Sequence, residues 1–249
     1  VTVGPGYLLR VARHPSSSTG GVPFPVQPSV AVLDHGGNLV TAANTSIAVQ
    51  LANINPFGVV GTATVAVVGG YANFTDLRLN PAGTDYFLFF TAPALIPILS
   101  TSFNVSVGPS ALVRVVTQPV GGTGGRTLVQ QPAATVLDLG GNLVRHSVHR
   151  IDVTVAGGGP VLGNAWVPTA STGVANFTNL VINEAKSNYM LMFFSAGLMP
   201  AESAMFNVSV GPLSALYTLT PPAGSSLAAA SFARQPVIQG RDDGGNNVT

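Results

Sequence analysis

The chain has 249 residues, 10 Lys plus Arg against 9 Asp plus Glu, and no cysteine. Near-zero net charge removes the electrostatic basis for binding nucleic acid or an anionic membrane, and the missing thiols exclude a disulfide framework and any Cys-ligated metal. Only 8% of residues are charged while 46% are apolar, with mean hydropathy +0.43, against about 25% charged in an ordinary soluble domain, so something other than ionised side chains must cover this surface.

Taken in order, Val1–Pro5 (V-T-V-G-P) repeats the end of F-N-V-S-V-G-P at Phe103–Pro109 and at Phe206–Pro212. Residues 1–5 are therefore expected to be the terminal strand of a preceding repeat, or a donor strand. Residues 6–109 then read as seven short segments rich in Val, Thr, Phe and Tyr and bounded by Gly, Pro and Asn. These are Tyr7–Arg13, Ser29–Asp34, Thr45–Leu51, Thr62–Val68, Tyr71–Leu77, Asp85–Ala92 and Ser102–Val107. No stretch has a helical period with caps. The most apolar run, Tyr86–Leu99, is broken by Pro93 and Pro97 and is too short to span a membrane as a helix. Residues 110–212 repeat the pattern, and residues 213–249 supply the first strands of an incomplete third repeat.

The repeat is clearest at a strand and its turn. Gln27–Val40 (Q-P-S-V-A-V-L-D-H-G-G-N-L-V) returns at Gln131–Val144 and again at Gln235–Val248, each 104 residues on. Asp34, Asp138 and Asp242 can accept backbone N–H bonds across an Asx-type turn, and the glycines take positive φ at little cost. The opening Gln-Pro suits a strand start. Seven strands in about 100 residues is the allotment of an immunoglobulin-like sandwich, so the expected fold is all-β, with tandem immunoglobulin-like sandwiches.

The Asp-x-Gly-Gly-Asn-x-Val turn, followed by G-x-A-x-F-T-x-L at Gly70–Leu77 and Gly173–Leu180, resembles the tandem Ig-like repeats of bacterial invasin/intimin-type adhesins and of other large extracellular repeat or filament glycoproteins. The resemblance covers nearly the whole chain through its turn and core positions. It departs from antibody domains, with no Cys pair and a single tryptophan, Trp166. It implies an extracellular stalk, adhesive region or filament.

Six N-x-S/T sequons occur, at Asn44, Asn73, Asn104, Asn176, Asn207 and Asn247. Strand alternation turns Phe103, Val105 and Val107 to one face and Asn104 to the other; in A-N-F-T it turns Phe74 inward and Asn73 outward. Exposed asparagines of this kind are N-glycan acceptors, and glycans would supply the hydrophilic coat that the side chains lack.

Little else points to chemistry. His146 and His149 stand in R-H-S-V-H-R without a counterpart in the first repeat and read as a solvated loop, and His14 and His35 stand apart. One or two acids per turn are too few for a Ca²⁺ site. The runs Gly121–Gly125 and Gly157–Gly159 lack the Lys-Ser/Thr and the helix of a phosphate loop. Phe87, Phe89, Phe90, Phe193 and Phe194 read as core, except that one of each adjacent pair must face out. No cofactor, no metal and no catalytic site is expected.

The incomplete third repeat and the leftover strand predict head-to-tail association of copies. Val1, Thr2 and Val3 would meet Leu216, Tyr217 and Leu219 in strand complementation, or the chain is a window on a longer array. The resulting expectation is a non-enzymatic structural subunit of an extracellular glycosylated fibre. The alternative is the stalk or ligand-binding region of a cell-surface adhesin, with Trp166 as its candidate contact.

Overall fold

In the computed structural model, residues 2–52, 58–146, 148–224 and 231–249 are described, and every regular element among them is a β-strand. The first repeat contributes β1 (Leu8–Arg13), β2 (Ser18–Thr19), β3 (Ser29–Leu33), β4 (Ser46–Leu51), β5 (Thr64–Ala66), β6 (Tyr71–Asn73), β7 (Gly83–Tyr86), β8 (Leu88–Thr91), β9 (Ile98–Leu99) and β10 (Phe103–Ser106). One sheet is β1-β3-β6, all antiparallel. Opposite it, β10 pairs parallel with β2 and antiparallel with β7, and β8 pairs with β4, which also carries β5. Only Phe87 separates β7 from β8, so one bent strand joins β10 to β4. This is the A-B-E against A′-G-F-C arrangement of an immunoglobulin-like sandwich.

A second hallmark supports the assignment. The Tyr86 hydroxyl donates back to the Pro81 carbonyl at 3.3 Å, and the Tyr189 hydroxyl to the Glu184 carbonyl at 3.0 Å. A tyrosine at the head of the F strand, bonded to backbone a few residues upstream, is the tyrosine corner of this fold.

The alternation expected from sequence places the core. Leu9, Val30, Val32 and Ala72 from one sheet meet Ile47, Val49, Leu88, Phe90, Phe103 and Val105 from the other. Phe74 packs against Phe90 with ring centroids 5.6 Å apart, and Phe177 against Phe193 at 5.3 Å. Phe90 and Phe193 are fully buried, while Phe194 faces outward.

The second repeat copies this plan with β11 (Leu112–Thr117), β12 (Ala133–Leu137), β13 (Arg150–Val155), β14 (Trp166–Pro168), β15 (Val174–Asn176), β16 (Lys186–Tyr189), β17 (Leu191–Phe194), β18 (Ala201–Glu202) and β19 (Phe206–Val208). Its sheets are β11-β12-β15, β14-β13-β17-β18 and β16-β19. The third contributes β20 (Ala215–Thr220) and β21 (Val237–Arg241), an antiparallel pair. Two compact units emerge: Val1–Ser110 with Leu137–Val144, and Ala111–Val136 with Arg145–Thr249. No helix among the described residues is long and apolar enough to cross a membrane.

Two local expectations change. Thr2–Pro5 do not form a strand. Of their counterpart Ser106–Pro109, only Ser106, at the end of β10 and paired with Thr19, lies in a strand, so the segment after that position stays outside the ladder in both copies. Tyr71–Leu77 shortens to Tyr71–Asn73 because Gln27 captures the backbone beyond it. The Gln27 amide donates to the Phe24 and Leu77 carbonyls (3.1 and 2.9 Å) and accepts from Leu77 N at 3.0 Å. Gln131 repeats this with Leu128 and Leu180. The side-chain amide thus stands in for a strand residue where the ladder ends.

Candidate functional site

The recurrent turn becomes a joint. After β12, Asp138 is completely buried. Its Oδ1 accepts from Gly140 N (2.9 Å) and Asn142 N (2.8 Å), and Asn142 Nδ2 lies 3.0 Å from each carboxylate oxygen. This is the Asx turn expected from the sequence. Oδ2 also accepts from Gly108 N at 2.8 Å, just beyond the last strand of the first repeat. Asn142 then reaches outward, donating Nδ2 to the Asn80 carbonyl and accepting from Ala82 N, both at 2.8 Å. Its amide is thereby satisfied at both ends. The turn and everything it grips lie within the first compact unit.

The same joint is built inside the second unit. Asp242 accepts from Gly211 N (2.8 Å), Gly244 N (2.9 Å) and Asn246 N (2.8 Å). Asn246 donates to the Asn183 carbonyl at 2.7 Å and accepts from Ala185 N at 2.8 Å. The Gly-Gly loops close it. A Cβ on Gly20 would fall against Asn142 Nδ2 and the Asn80 carbonyl, and one on Gly124 against Asn246 Nδ2 and the Asn183 carbonyl. Glycine is required here for close approach. Gly20–Gly21 and Gly124–Gly125 keep the same 104-residue period as the turn, the sequence signal that marks them as part of the joint.

The first copy of the turn keeps its inner half. Asp34 accepts from Gly4 N at 2.9 Å and Asn38 N at 2.8 Å, and Asn38 Nδ2 contacts both carboxylate oxygens. The Gly4 N–H, then the Asn38 N–H and amide, lower the Asp34 pKa from 3.8 to about 2. For Asp242, burial pushes upward but is outweighed by the N–H groups of Gly211, Asn246 and Gly244, so its net shift is also downward. A carboxylate depressed in the folded state stabilises it above the unfolded pKa, and that contribution is lost as pH falls through the folded value. The thermal midpoint is thus expected to drop between about pH 4 and pH 2, and the drop to be shallower in Asp34→Asn. Parallel curves for the two proteins would refute the assignment.

All six sequon asparagines are exposed. Asn104 Oδ1 accepts from Asp85 N at 3.0 Å, and Asn207 Oδ1 from Asn188 N at 2.9 Å. Asp85 and Asn188 have φ of 56° and 62° and sit where the register of the F–G pairing shifts. Both sequons therefore use the carboxamide oxygen to hold a bulge, and the nitrogen that would carry a glycan is the other atom of the group. Asn73 Oδ1 accepts from Ser29 Oγ at 2.7 Å. Asn44 and Asn247 lie in exposed segments outside strands.

The residues expected to mediate assembly between copies belong to different units. Val1 lies outside the described residues. Thr2 and Val3 are exposed in the first unit, while Leu216, Tyr217 and Leu219 are exposed on β20 in the second. The Arg241 guanidinium covers one ring on that strand, 4.5 Å from the Tyr217 centroid. His14 Nδ1 accepts from Thr101 N at 3.0 Å and His35 packs on Tyr7, which are structural roles. Asp243 pairs with Arg126 at 2.7 Å. No group of three or more potential metal-ligating side chains occurs among the described residues.

No family model matches the chain. Over 103 residues, 39% of the chain, it is 32% identical to mouse fibrocystin-L, and over 102 residues it is 30% identical to human fibrocystin-L. The chain spans about 2% of the length of these curated relatives. Among solved structures, the Escherichia coli adhesin FdeC aligns with 85% of the chain and 66% of its own at 14% identity and TM-score 0.35. The Yersinia pseudotuberculosis adhesin InvE aligns with 80% and 59% at 14% identity and TM-score 0.32. A Parabacteroides merdae β-glucuronidase aligns with 81% and 25% at 14% identity and TM-score 0.30. The immunoglobulin-like fold follows from the strand pairing and the tyrosine corner.

Proposed function

We propose that this chain is a structural segment of an extracellular, N-glycosylated fibre or cell-surface stalk, built of Ig-like repeats stacked head to tail. One observation carries the reading: the Asp-Gly-Gly-Asn turn grips the end of the repeat before it, twice, with the same atoms. Such a joint is economical for a protein whose task is extension, since each repeat brings the means of attaching to the last. The exposed sequons provide hydrophilic cover for a chain of which only 8% of residues are charged. The fibrocystin-L similarity supports a cell-surface or extracellular setting for the same kind of module.

Negative-stain electron microscopy of the native, undissociated material, with glycopeptide mapping of the same sample, tests this. Filaments or long stalks with a regular axial repeat and occupied sequons are expected. Compact isolated particles with unmodified asparagines would overturn the proposal.

A further inference from the structure

The second repeat has one feature that the first lacks. Trp166 is the only tryptophan of the chain, and it is 51% exposed on β14. Its structural counterpart in the first repeat is Thr64: Asp152 pairs with Trp166 as Ala48 pairs with Thr64. The exposed indole is held in place. Arg150 stacks on it, 4.7 Å from the ring centroid, and forks onto Asp152 through Nε and Nη2 at 3.0 and 2.7 Å. The Asp152 carboxylate restrains the guanidinium, and the guanidinium restrains the ring.

Trp166 lines a recess of about 440 Å³ that it shares with Asn164, Pro168, Asn176 and Thr178. Asn164 Nδ2 donates to Thr178 Oγ1 at 3.1 Å. A half-exposed indole, amides and a hydroxyl around a shallow recess match a pyranose. Its C–H face packs on the electron-rich ring, and its hydroxyl or acetamido groups meet the amides. Asn176 is itself a sequon asparagine, so the recess has a covalent anchor in its own wall. In the first repeat, Ser29 donates to the Asn73 carboxamide; in the second, Ala133 stands opposite Asn176 and offers no hydroxyl.

We infer that the N-glycan carried by Asn176 folds back into this recess and packs its first sugars against Trp166. The inference rests on the glycosylation proposed above. In that modification Asn176 Nδ2 bonds to the anomeric carbon of an oligosaccharide carried on a lipid pyrophosphate. The anomeric C–O bond breaks, the pyrophosphate leaves with the electron pair, and Nδ2 gives up a proton. The glycan then shields the apolar indole, and the indole orders the glycan base. The glycan on Asn73 has no such platform.

Because Trp166 is the only tryptophan, its fluorescence reports on this recess alone. The full chain is expressed in a glycosylating host, its sequon occupancy is mapped by glycopeptide mass spectrometry, and acrylamide quenching is measured. Enzymatic release of N-glycans from the folded protein is expected to raise the quenching constant about twofold, in proportion to the indole area uncovered, with a red shift in emission. Asn176→Gln reproduces the change and Asn73→Gln does not. With Asn176 occupied, unchanged quenching after release and in Asn176→Gln overturns the packing while leaving glycosylation intact. An unoccupied Asn176 overturns the inference at its root, and the mapping distinguishes the two failures.

Discussion

Asp138→Ala is expected to destabilise the protein by about 3 kcal/mol or more, since each buried donor left without an acceptor costs roughly 1–3 kcal/mol. Three backbone N–H groups, those of Gly108, Gly140 and Asn142, lose their acceptor together. The Asn142 amide also loses the carboxylate that aims it at Asn80 and Ala82. The damage should be local first. Amide hydrogen exchange is expected to show lost protection at Gly108, Gly140, Asn142 and Ala82, with Gly211 and Ala185 at the equivalent joint of the second unit unchanged. Asp138→Asn keeps an acceptor oxygen at Oδ1 and should recover part of the loss. Full protection of Gly108 and Ala82 in Asp138→Ala would show that the turn grips nothing of consequence.

Gly124→Ala is expected to open the second joint by a different route. The added methyl meets the Asn183 carbonyl and the Asn246 amide, with Asp242 Oδ2 at 3.1 Å. Two of these obstacles are fixed parts of the joint. Overpacking of this kind costs about 1–3 kcal/mol, and here relief requires Asn246 to leave the Asn183 carbonyl. Gly245→Ala is the control. Nothing lies within 4 Å of a Cβ there, but φ is +86°, so its cost is backbone strain of about 1–2 kcal/mol without displacement of Asn246. The readout is protection of the Ala185 amide, which bonds Asn246 Oδ1 at 2.8 Å. It should fall in Gly124→Ala and persist in Gly245→Ala. Equal protection in both would sink the close-approach explanation.

The recess beside Trp166 and the two joints were legible in the sequence to different degrees. Trp166 stood out because it occurs in one repeat only, and its exposure follows from a short strand at a sheet edge. Nothing in N-A-W-V-P announces that Asn176 and Thr178 share its recess, because that depends on how the strand containing Trp166 meets β15. The sequons were legible as motifs and, by alternation, as exposed. The use of Asn104 and Asn207 to hold a bulge was not, since the partner amides belong to left-handed residues nineteen positions upstream.

The sequence by itself determined the repeat, the all-β class, the inward and outward faces of the strands and the Asp-Gly-Gly-Asn turn. All of these are set by contacts within a few residues: a side-chain period of two, β-branched and aromatic preference, and an Asx bond that closes over four positions. Tertiary structure alone decided that Gln27 and Gln131 finish ladders fifty and forty-nine residues away, and that Asn142 and Asn246 brace loops more than sixty residues back. These depend on which polar groups the packed sandwich leaves unpaired and within reach, and a buried N–H or carbonyl takes whatever partner the fold delivers, however distant in the chain.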